Sequence, residues 1–377
     1  MTLPRTFRAR AAFSAVLGSL LVAGVLAGCG GSSSSAAAIV DGKGCKHIAF
    51  LLPESDTAAR WEAADRPDVV AAIKADLPGA TVDAVNAQKV VATQQTQADT
   101  ALSQGACILV VAPVDSTAAA AIVTKAAAKK VPVIAYDRLI YSDQLNYYAS
   151  FDGNAVGVAQ GTYIKDNYQK YVTLNGNNNT MLIKGSDTDN NAHLFGAGAL
   201  SILKPLFDAG TLKNVYEQYT PGWDNPTAQT EAQAALTANH NKIAIAYVMN
   251  DGMANTVIAA LTKVGLNGKV LVTGQDAEVA GIRNILKGDQ SMTVYKPIKK
   301  LADSVGTLVA AISNGTDTSS IASAPVKNPT GTASIKSILN PVVEVDISNI
   351  KTTVIADGFV KTADVCQGVP AGAGGVC

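Results

Sequence analysis

The sequence is poor in aromatic residues (5%) and in charged residues (16%), and its 30 Lys and Arg balance its 30 Asp and Glu. That balance argues against a nucleic-acid binder, which normally carries a basic excess. The histidines, His47, His193 and His240, lie far apart, and the sequence contains neither HExxH nor a paired CxxC. No metal and no cofactor are therefore expected. With 48% hydrophobic residues, the 377-residue chain can bury the cores of two domains.

The first residues resemble an export signal. Three arginines and no acid precede an apolar run over residues 12–27, which is too short to span a bilayer. The run ends in Leu26-Ala27-Gly28-Cys29, similar to the lipobox of bacterial lipoproteins. We expect a signal peptide over residues 1–28, lipidation of Cys29, a flexible tether over 29–44 and anchoring to the outer face of the cell membrane. The alternative is an ordinary signal peptide with an incidental cysteine.

Four cysteines remain after the lipobox, and an even number outside the cytoplasm indicates disulfides. Cys45 and Cys107 each stand at the start of an apolar run, in strands that would be neighbours in a doubly wound sheet. We therefore predict the pairs Cys45–Cys107 and Cys366–Cys377, the second within a C-terminal tail over residues 366–377.

Short apolar runs alternate with Ala-rich segments of helical length, which is typical of parallel strands covered on both faces. Two rounds of this pattern predict an α/β protein with two parallel sheets. The tail adds a helix over residues 298–313 and one strand over 338–346. The other predicted strands cover residues 46–53, 80–86, 107–113, 132–137 and 147–152, then 180–186, 214–220, 243–250, 270–276 and 291–297.

Polar planar side chains and both tryptophans recur just beyond these strands, where ligands bind in open parallel sheets. Carboxylates accept hydrogen bonds from hydroxyls, Arg and Lys donate to them, and a Trp face suits the apolar face of a sugar ring. The set predicts a site for a neutral polyhydroxylated ligand. Taken singly, each residue has a plainer reading, since such an Asp is often a helix N-cap and a Trp is often core.

At these residues the chain resembles the sugar-binding lipoproteins of ABC importers, with D-xylose-binding and multiple-monosaccharide-binding proteins as the nearest groups. The resemblance covers about residues 46–345. The first loop, at Pro53 to Ala58, departs from the typical xylose-binding pattern, and His193 and Gly196 stand where basic residues are common. The matching motifs include Ala59-Arg60-Trp61, Tyr136-Asp137-Arg138, Asp189-Asn190-Asn191, Gly222-Trp223, Asn250-Asp251, Gly274-Gln275-Asp276 and Tyr295-Lys296-Pro297.

The resemblance implies a type I periplasmic-binding-protein fold, in which two Rossmann-like lobes with parallel sheets are joined by three crossovers. The N-terminal lobe would comprise residues 45–151 plus 298–336 and the C-terminal lobe 152–297 plus 337–365. Crossovers are expected near Phe151-Asp152-Gly153, near Lys296-Pro297 and near residue 337. The implied ligand-binding residues are Arg60, Trp61, Asp137, Arg138, Asp189, Asn191, Trp223, Asn250, Asp276 and Lys296.

The resemblance further implies a monomeric solute-binding subunit that captures a monosaccharide by hinge closure and delivers it to an ABC permease with its ATPase. D-xylose is the first candidate; broad aldose binding and a role in a sugar-sensing receptor stay open. An enzyme is not expected. The rival reading is a glycosidase, but the candidate acids alternate with Arg and Lys, which would keep them ionised and poor general acids. An export signal also excludes a sugar-responsive transcription factor.

Overall fold

The computed structural model describes residues 41–377. The predicted signal peptide, Cys29 and the tether up to residue 40 lie outside the described residues. Over residues 41–377, no helix combines the length and the hydropathy needed to cross a membrane.

The strands fall where the apolar runs predict them, apart from the C-terminal tail. They are β1 (His47–Leu52), β2 (Thr81–Asn86), β3 (Ile108–Val111), β4 (Val133–Tyr136), β5 (Tyr147–Phe151), β6 (Asn179–Lys184), β7 (Lys213–Tyr219), β8 (Ile245–Val248), β9 (Leu271–Val272), β10 (Met292–Tyr295), β11 (Ala324–Lys327), β12 (Ser334–Asn340) and β13 (Val343–Asp346).

Helices separate most of the strands. A π-helical turn at Trp61–Asp65 leads directly into the first α-helix, which has Pro67 as its second residue. The α-helices are α1 (Arg66–Asp76), α2 (Val91–Ser103), α3 (Ala120–Ala128), α4 (Gly153–Asn175), α5 (Asn190–Asp208), α6 (Asn225–Ala238), α7 (Asp251–Lys263), α8 (Val279–Lys287), α9 (Ile298–Asn314) and α10 (Thr362–Val365).

The strands form two main sheets, which confirms the predicted α/β class. The seven-stranded sheet has the order β11-β12-β5-β4-β3-β1-β2 and is parallel except for the β11–β12 pair. The four-stranded sheet has the order β7-β6-β8-β9 and is parallel throughout. Every residue of β3, β4 and β8 is buried, as expected where helices cover both faces. A separate antiparallel pair joins β10 to β13.

One half of the chain carries the seven-stranded sheet, and the other carries the four-stranded sheet and the β10–β13 pair. The chain passes between these two halves three times. It leaves β5 for α4, leaves β10 for α9, and leaves β12 for β13. The single strand predicted over residues 338–346 is wrong, because Pro341 and Val342 divide it into two strands of different sheets. Residue 337, where the third crossover was expected, lies inside β12, so the chain crosses only after Asn340. Proline cannot donate the next ladder hydrogen bond, which accounts for the break.

Glycines permit close contact between α4 and α5 beside the first crossover. A Cβ atom on Gly157 would lie 1.9 Å from the carbonyl oxygen of Phe195, and one on Gly198 would lie 2.2 Å from that of Asn154. The two helices therefore pack backbone against backbone, which holds the N-terminus of α5 in a fixed place.

Both cysteine pairs are joined in the structure, with S–S distances of 2.13 Å for Cys45–Cys107 and 2.10 Å for Cys366–Cys377. The first pair lies at the start of the adjacent strands β1 and β3. The second ties α10 to the last residue of the chain.

Candidate functional site

The π-helical turn after β1 carries two site residues, and both are almost fully buried: Arg60 is 4% exposed and Trp61 is 2% exposed. The Arg60 guanidinium contacts Asp65 through Nη2 at 2.6 Å and Asp137 through Nη1 at 2.9 Å. The indole N–H of Trp61 donates to Oε1 of Glu54 at 2.9 Å. Arg60 and Arg138 both lie over the Trp61 ring, 4.6 and 5.2 Å from its centre, so two cations contact the indole.

Asp137 and Arg138 follow β4 directly. Asp137 has a left-handed backbone (φ 60°), which turns its carboxylate toward Arg60 and toward Lys296 Nζ at 3.4 Å. Burial by itself would raise the pKa of Asp137, but Arg60, Lys296 and Arg138 together hold it well below its ordinary value. Asp137 is therefore ionised in the site and accepts a further hydrogen bond from the Asn191 amide at 3.0 Å.

The N-terminus of α5 supplies Asp189 and Asn191. Asp189 caps this helix by accepting the backbone N–H of Asn191 at 2.9 Å, which is the structural role that an Asp after a strand often has. Its other oxygen receives the indole N–H of Trp223 at 3.1 Å and Arg138 Nε at 2.9 Å. Burial raises the pKa of Asp189, and Arg138 opposes that shift. One carboxylate thus both starts a helix and faces the cleft.

Trp223 lies in a strained turn, and its ring packs against a glycine. Gly222 and Trp223 both have left-handed φ values, 61° and 56°. A Cβ atom on Gly185 would lie 2.1 Å from the Trp223 ring, so only glycine leaves room for this indole. A non-glycine residue in this conformation costs free energy that the surrounding structure must supply, and such strain is common at binding sites.

Asn250, Asp276 and Lys296 complete the site from the ends of β8, β9 and β10. Asn250 accepts the backbone N–H of Met253 at 2.9 Å and so caps α7. Asp276 has a positive φ of 97° and contacts Lys296 Nζ at 3.1 Å and Arg60 Nη1 at 3.5 Å.

The structure brings all ten residues named from the sequence to the wall of one cavity. Four further residues, Glu54, Ala58, Phe195 and Gln275, line it with them. Glu54 and Gln275 both come shortly after a strand, so the strand-end rule could have found them. Phe195 reaches the site from the second turn of α5 and contacts Trp223 edge to face, with ring centres 6.3 Å apart. No sequence signal separates it from a core residue.

The charges around this cavity pair with one another, both within each half of the chain and across the cleft. Arg138 with Asp189 and Arg60 with Asp276 join the two halves of the chain. Three cations and four carboxylates line the cavity, and each has an opposite charge close by. The space left between them is only about 20 Å³, room for about one water. Such a set of paired donors and acceptors suits a neutral ligand that offers hydroxyl groups.

Within residues 41–377, no group of three or more His, Cys, Asp or Glu side chains is arranged to hold a metal ion. The carboxylates of the site instead face arginine, lysine and indole donors.

Comparison with known proteins identifies the family. The family model for the periplasmic binding protein domain matches residues 48–317. The chain belongs to this family of periplasmic binding proteins. A D-xylose-binding periplasmic protein of Escherichia coli is 37% identical over 292 residues, covering 78% of this chain and 85% of that protein. A multiple sugar-binding periplasmic protein of Azospirillum brasilense is 33% identical over 333 residues, covering 84% of this chain and 90% of that protein.

Solved structures of periplasmic binding proteins share the fold. An ABC transporter solute-binding protein from Clostridium phytofermentans, solved with bound β-D-glucose, superposes with a TM-score of 0.72 at 32% identity and covers 85% of this chain and all of that one. A myo-inositol-binding protein from Caulobacter superposes with a TM-score of 0.69 at 21% identity, which supports the fold alone. The type I fold expected from the sequence is therefore confirmed.

Proposed function

We propose that this chain is the solute-binding subunit of an ABC importer and that it captures one monosaccharide between its two lobes. The observation that carries the proposal is the cavity itself, where two indoles and seven mutually paired charges from both halves of the chain converge. Relatives described as D-xylose-binding and multiple sugar-binding, and one with bound glucose, support a sugar as the ligand.

Capture requires the lobes to separate and close. With little free space left among the paired charges, a sugar ring enters by replacing some of the contacts between them with contacts to its own hydroxyls. Arg60, Lys296 and Asn191 would donate to ring hydroxyls, and Asp137, Asp189 and Asp276 would accept from them. Binding then shifts a hinge equilibrium at the three crossovers toward the closed state. The lobes are those predicted above, with the last boundary moved to Pro341 and Val342.

D-xylose is the first candidate ligand because two relatives with that description match most of the chain, at 37% and 36% identity. The glucose-bound structure supports broader aldose binding as the alternative. The two ligands differ by the C6 hydroxymethyl group. Calorimetric titration with D-xylose, D-glucose, L-arabinose, D-galactose and D-ribose separates these readings, and xylose or glucose should bind most tightly with one site per chain.

A matched pair of variants ties the binding to this cavity. Asp276→Ala removes a carboxylate that pairs with Lys296 and Arg60 and should weaken sugar binding by about 1–3 kcal/mol. Asp208→Asn alters an exposed carboxylate that pairs with Lys204 on α5, far along the helix from the site, and should leave binding unchanged. Wild-type affinity in Asp276→Ala would place the ligand elsewhere.

We also propose that lipidated Cys29 anchors the exported chain to the outer face of the membrane, where it delivers sugar to a permease and its ATPase as a monomer. Cys29→Ser should move the protein from the membrane fraction to the soluble fraction. Unchanged membrane association of that variant would contradict the anchor. Purified protein should not hydrolyse aryl glycosides, and turnover of them would revive the glycosidase reading.

A further inference from the structure

A chain of hydrogen bonds connects the two tryptophans of the site, and we call its five side chains the belt. Trp61 donates to Glu54 at 2.9 Å, and Arg138 Nη2 contacts the same carboxylate at 3.1 Å. Arg138 Nε contacts Asp189 at 2.9 Å, and Trp223 donates to Asp189 at 3.1 Å. All five side chains are buried. Because Asp189 and Trp223 belong to the half of the chain that carries the four-stranded sheet, the belt is complete only when the two halves meet.

A second cavity borders three members of the belt. This side cavity measures about 230 Å³ and shares Glu54, Arg138 and Trp223 with the sugar site. Val91 and Val114 supply apolar walls, and Lys89 and Asp115 supply charged groups at its edge, where it is partly open to solvent. Its volume exceeds that of the sugar site more than tenfold. Ser186 and Thr188 also line it, and this mixture of apolar and polar groups suits a second sugar ring.

Glu54 is the member of the belt that can be shortened without removing a helix cap or an indole ring. Arg138 keeps Asp189 and the carbonyl oxygen of Pro113 without it, at 2.9 and 3.4 Å. Asp189 is also the cap of α5, and removing either indole would remove ring contacts as well. Glu54 itself contacts Trp61, Arg138 and Thr57, all in the half that carries the seven-stranded sheet.

We propose that Glu54 determines ligand size: its carboxylate closes the sugar site against the side cavity and restricts the ligand to a single unsubstituted sugar ring. The inference rests on the proposed function. Shortening Glu54 joins the two cavities, so that a ligand with two rings can place one in the sugar site and the other between Val91 and Val114. The restriction to one ring depends on the size of the side chain at position 54 and does not depend on its charge.

The experiment compares D-xylose with xylobiose and D-glucose with cellobiose by calorimetric titration. Wild type should prefer the monosaccharide of each pair by about 100-fold or more, since a buried wall rejects the second ring. Glu54→Gln keeps the wall and should keep that preference, even where both affinities fall. Glu54→Ala should lower the preference by about tenfold or more.

Two further variants locate the effect. Val91→Trp, added to Glu54→Ala, fills the side cavity and should restore the preference for the monosaccharide. Val90→Trp, at the neighbouring exposed position outside the side cavity, should not restore it. Glu54→Ser provides a second shortened side chain if Glu54→Ala does not fold, as judged by its thermal unfolding transition.

The possible failures are distinguishable. Equal weakening of monosaccharide and disaccharide binding in both shortened variants would reduce Glu54 to a residue that positions Trp61 and Arg138, and would overturn the inference. So would a wild-type chain that binds xylobiose as tightly as D-xylose. A wild-type chain that binds no monosaccharide of the titration panel would overturn the proposed function, and this inference with it.

Discussion

Glu278 predicts a pH dependence of ligand binding. The Glu278 carboxylate accepts the backbone N–H of Ala59 at 3.0 Å across the cleft. The backbone N–H of Glu278 donates to the Asp251 carboxylate at 2.9 Å. Burial and then the neighbouring charge of Asp276 raise the pKa of Glu278 from about 4.5 to about 7, while the hydrogen bond from Ala59 and the charge of Arg60 oppose the shift. Opening the cleft removes the contact with Ala59 and returns the carboxylate to water, where its ordinary pKa applies.

The sign and size follow from proton linkage. A pKa that is higher in the closed state means that closure takes up a proton, so its contribution is full below about pH 4.5 and is lost as pH rises through about 7. Between pH 8 and pH 6 the affinity for sugar should therefore rise about tenfold. At pH 7 closure should take up about half a proton per sugar bound.

Calorimetry at pH 6, 7 and 8, in buffers with different ionisation enthalpies, measures both quantities with the sugar that binds most tightly. Glu278→Gln keeps an oxygen that can accept the Ala59 N–H but cannot ionise, so it should remove most of the pH dependence. Asp208→Asn on the exposed face of α5 is the control and should behave as wild type. A wild-type affinity that is equal at pH 6 and pH 8, or a Glu278→Gln variant that keeps the tenfold change, would refute the reasoning.

Three further predictions concern the indole, the helix contact and the disulfides. Trp223→Ala should weaken sugar binding by about 1–3 kcal/mol and reduce the fluorescence change on binding. A variant that binds sugar with wild-type affinity in calorimetry would contradict this. Gly157→Ala should lower the free energy of unfolding by about 1–3 kcal/mol, because its Cβ would overlap the carbonyl oxygen of Phe195, whereas Gly196→Ala has room and should change it much less in denaturant titrations. A thiol reagent should label none of the four cysteines of the two disulfides before reduction, and label at Cys45 or Cys107 would count against that pair.

The sequence predicts the fold well wherever a strand is buried on both faces. Such strands are short apolar runs between helices, and β3, β4 and β8 all fit that description. The prediction for the tail was wrong because β12 and β13 are only partly buried, and apolar residues lie close on both sides of Pro341, which suggested a single strand. That β12 and β13 belong to different sheets depends on their pairing with β5 and β10, which are distant in sequence.

The convergence of the ten candidate residues on one cavity was predictable because the carboxyl ends of parallel strands meet at one edge of the sheet. Glu54 was missed because the loop that carries it departs from the resembled pattern, and its part in the site depends on a contact with the indole N–H of Trp61. The N-cap of α5 and a residue within α5 also show that the sequence alone does not separate a structural role from a role in the site. Asp189 is both cap and site residue, and Phe195 is a core-like residue that only helix packing turns toward Trp223.

Solution X-ray scattering of the purified chain, with and without a saturating concentration of the sugar that binds in the titration panel, tests the central claim most directly. Closure of two lobes around one sugar molecule predicts a smaller radius of gyration with sugar than without it. A radius of gyration that stays the same, at a concentration where calorimetry shows the site to be filled, would contradict capture by closure.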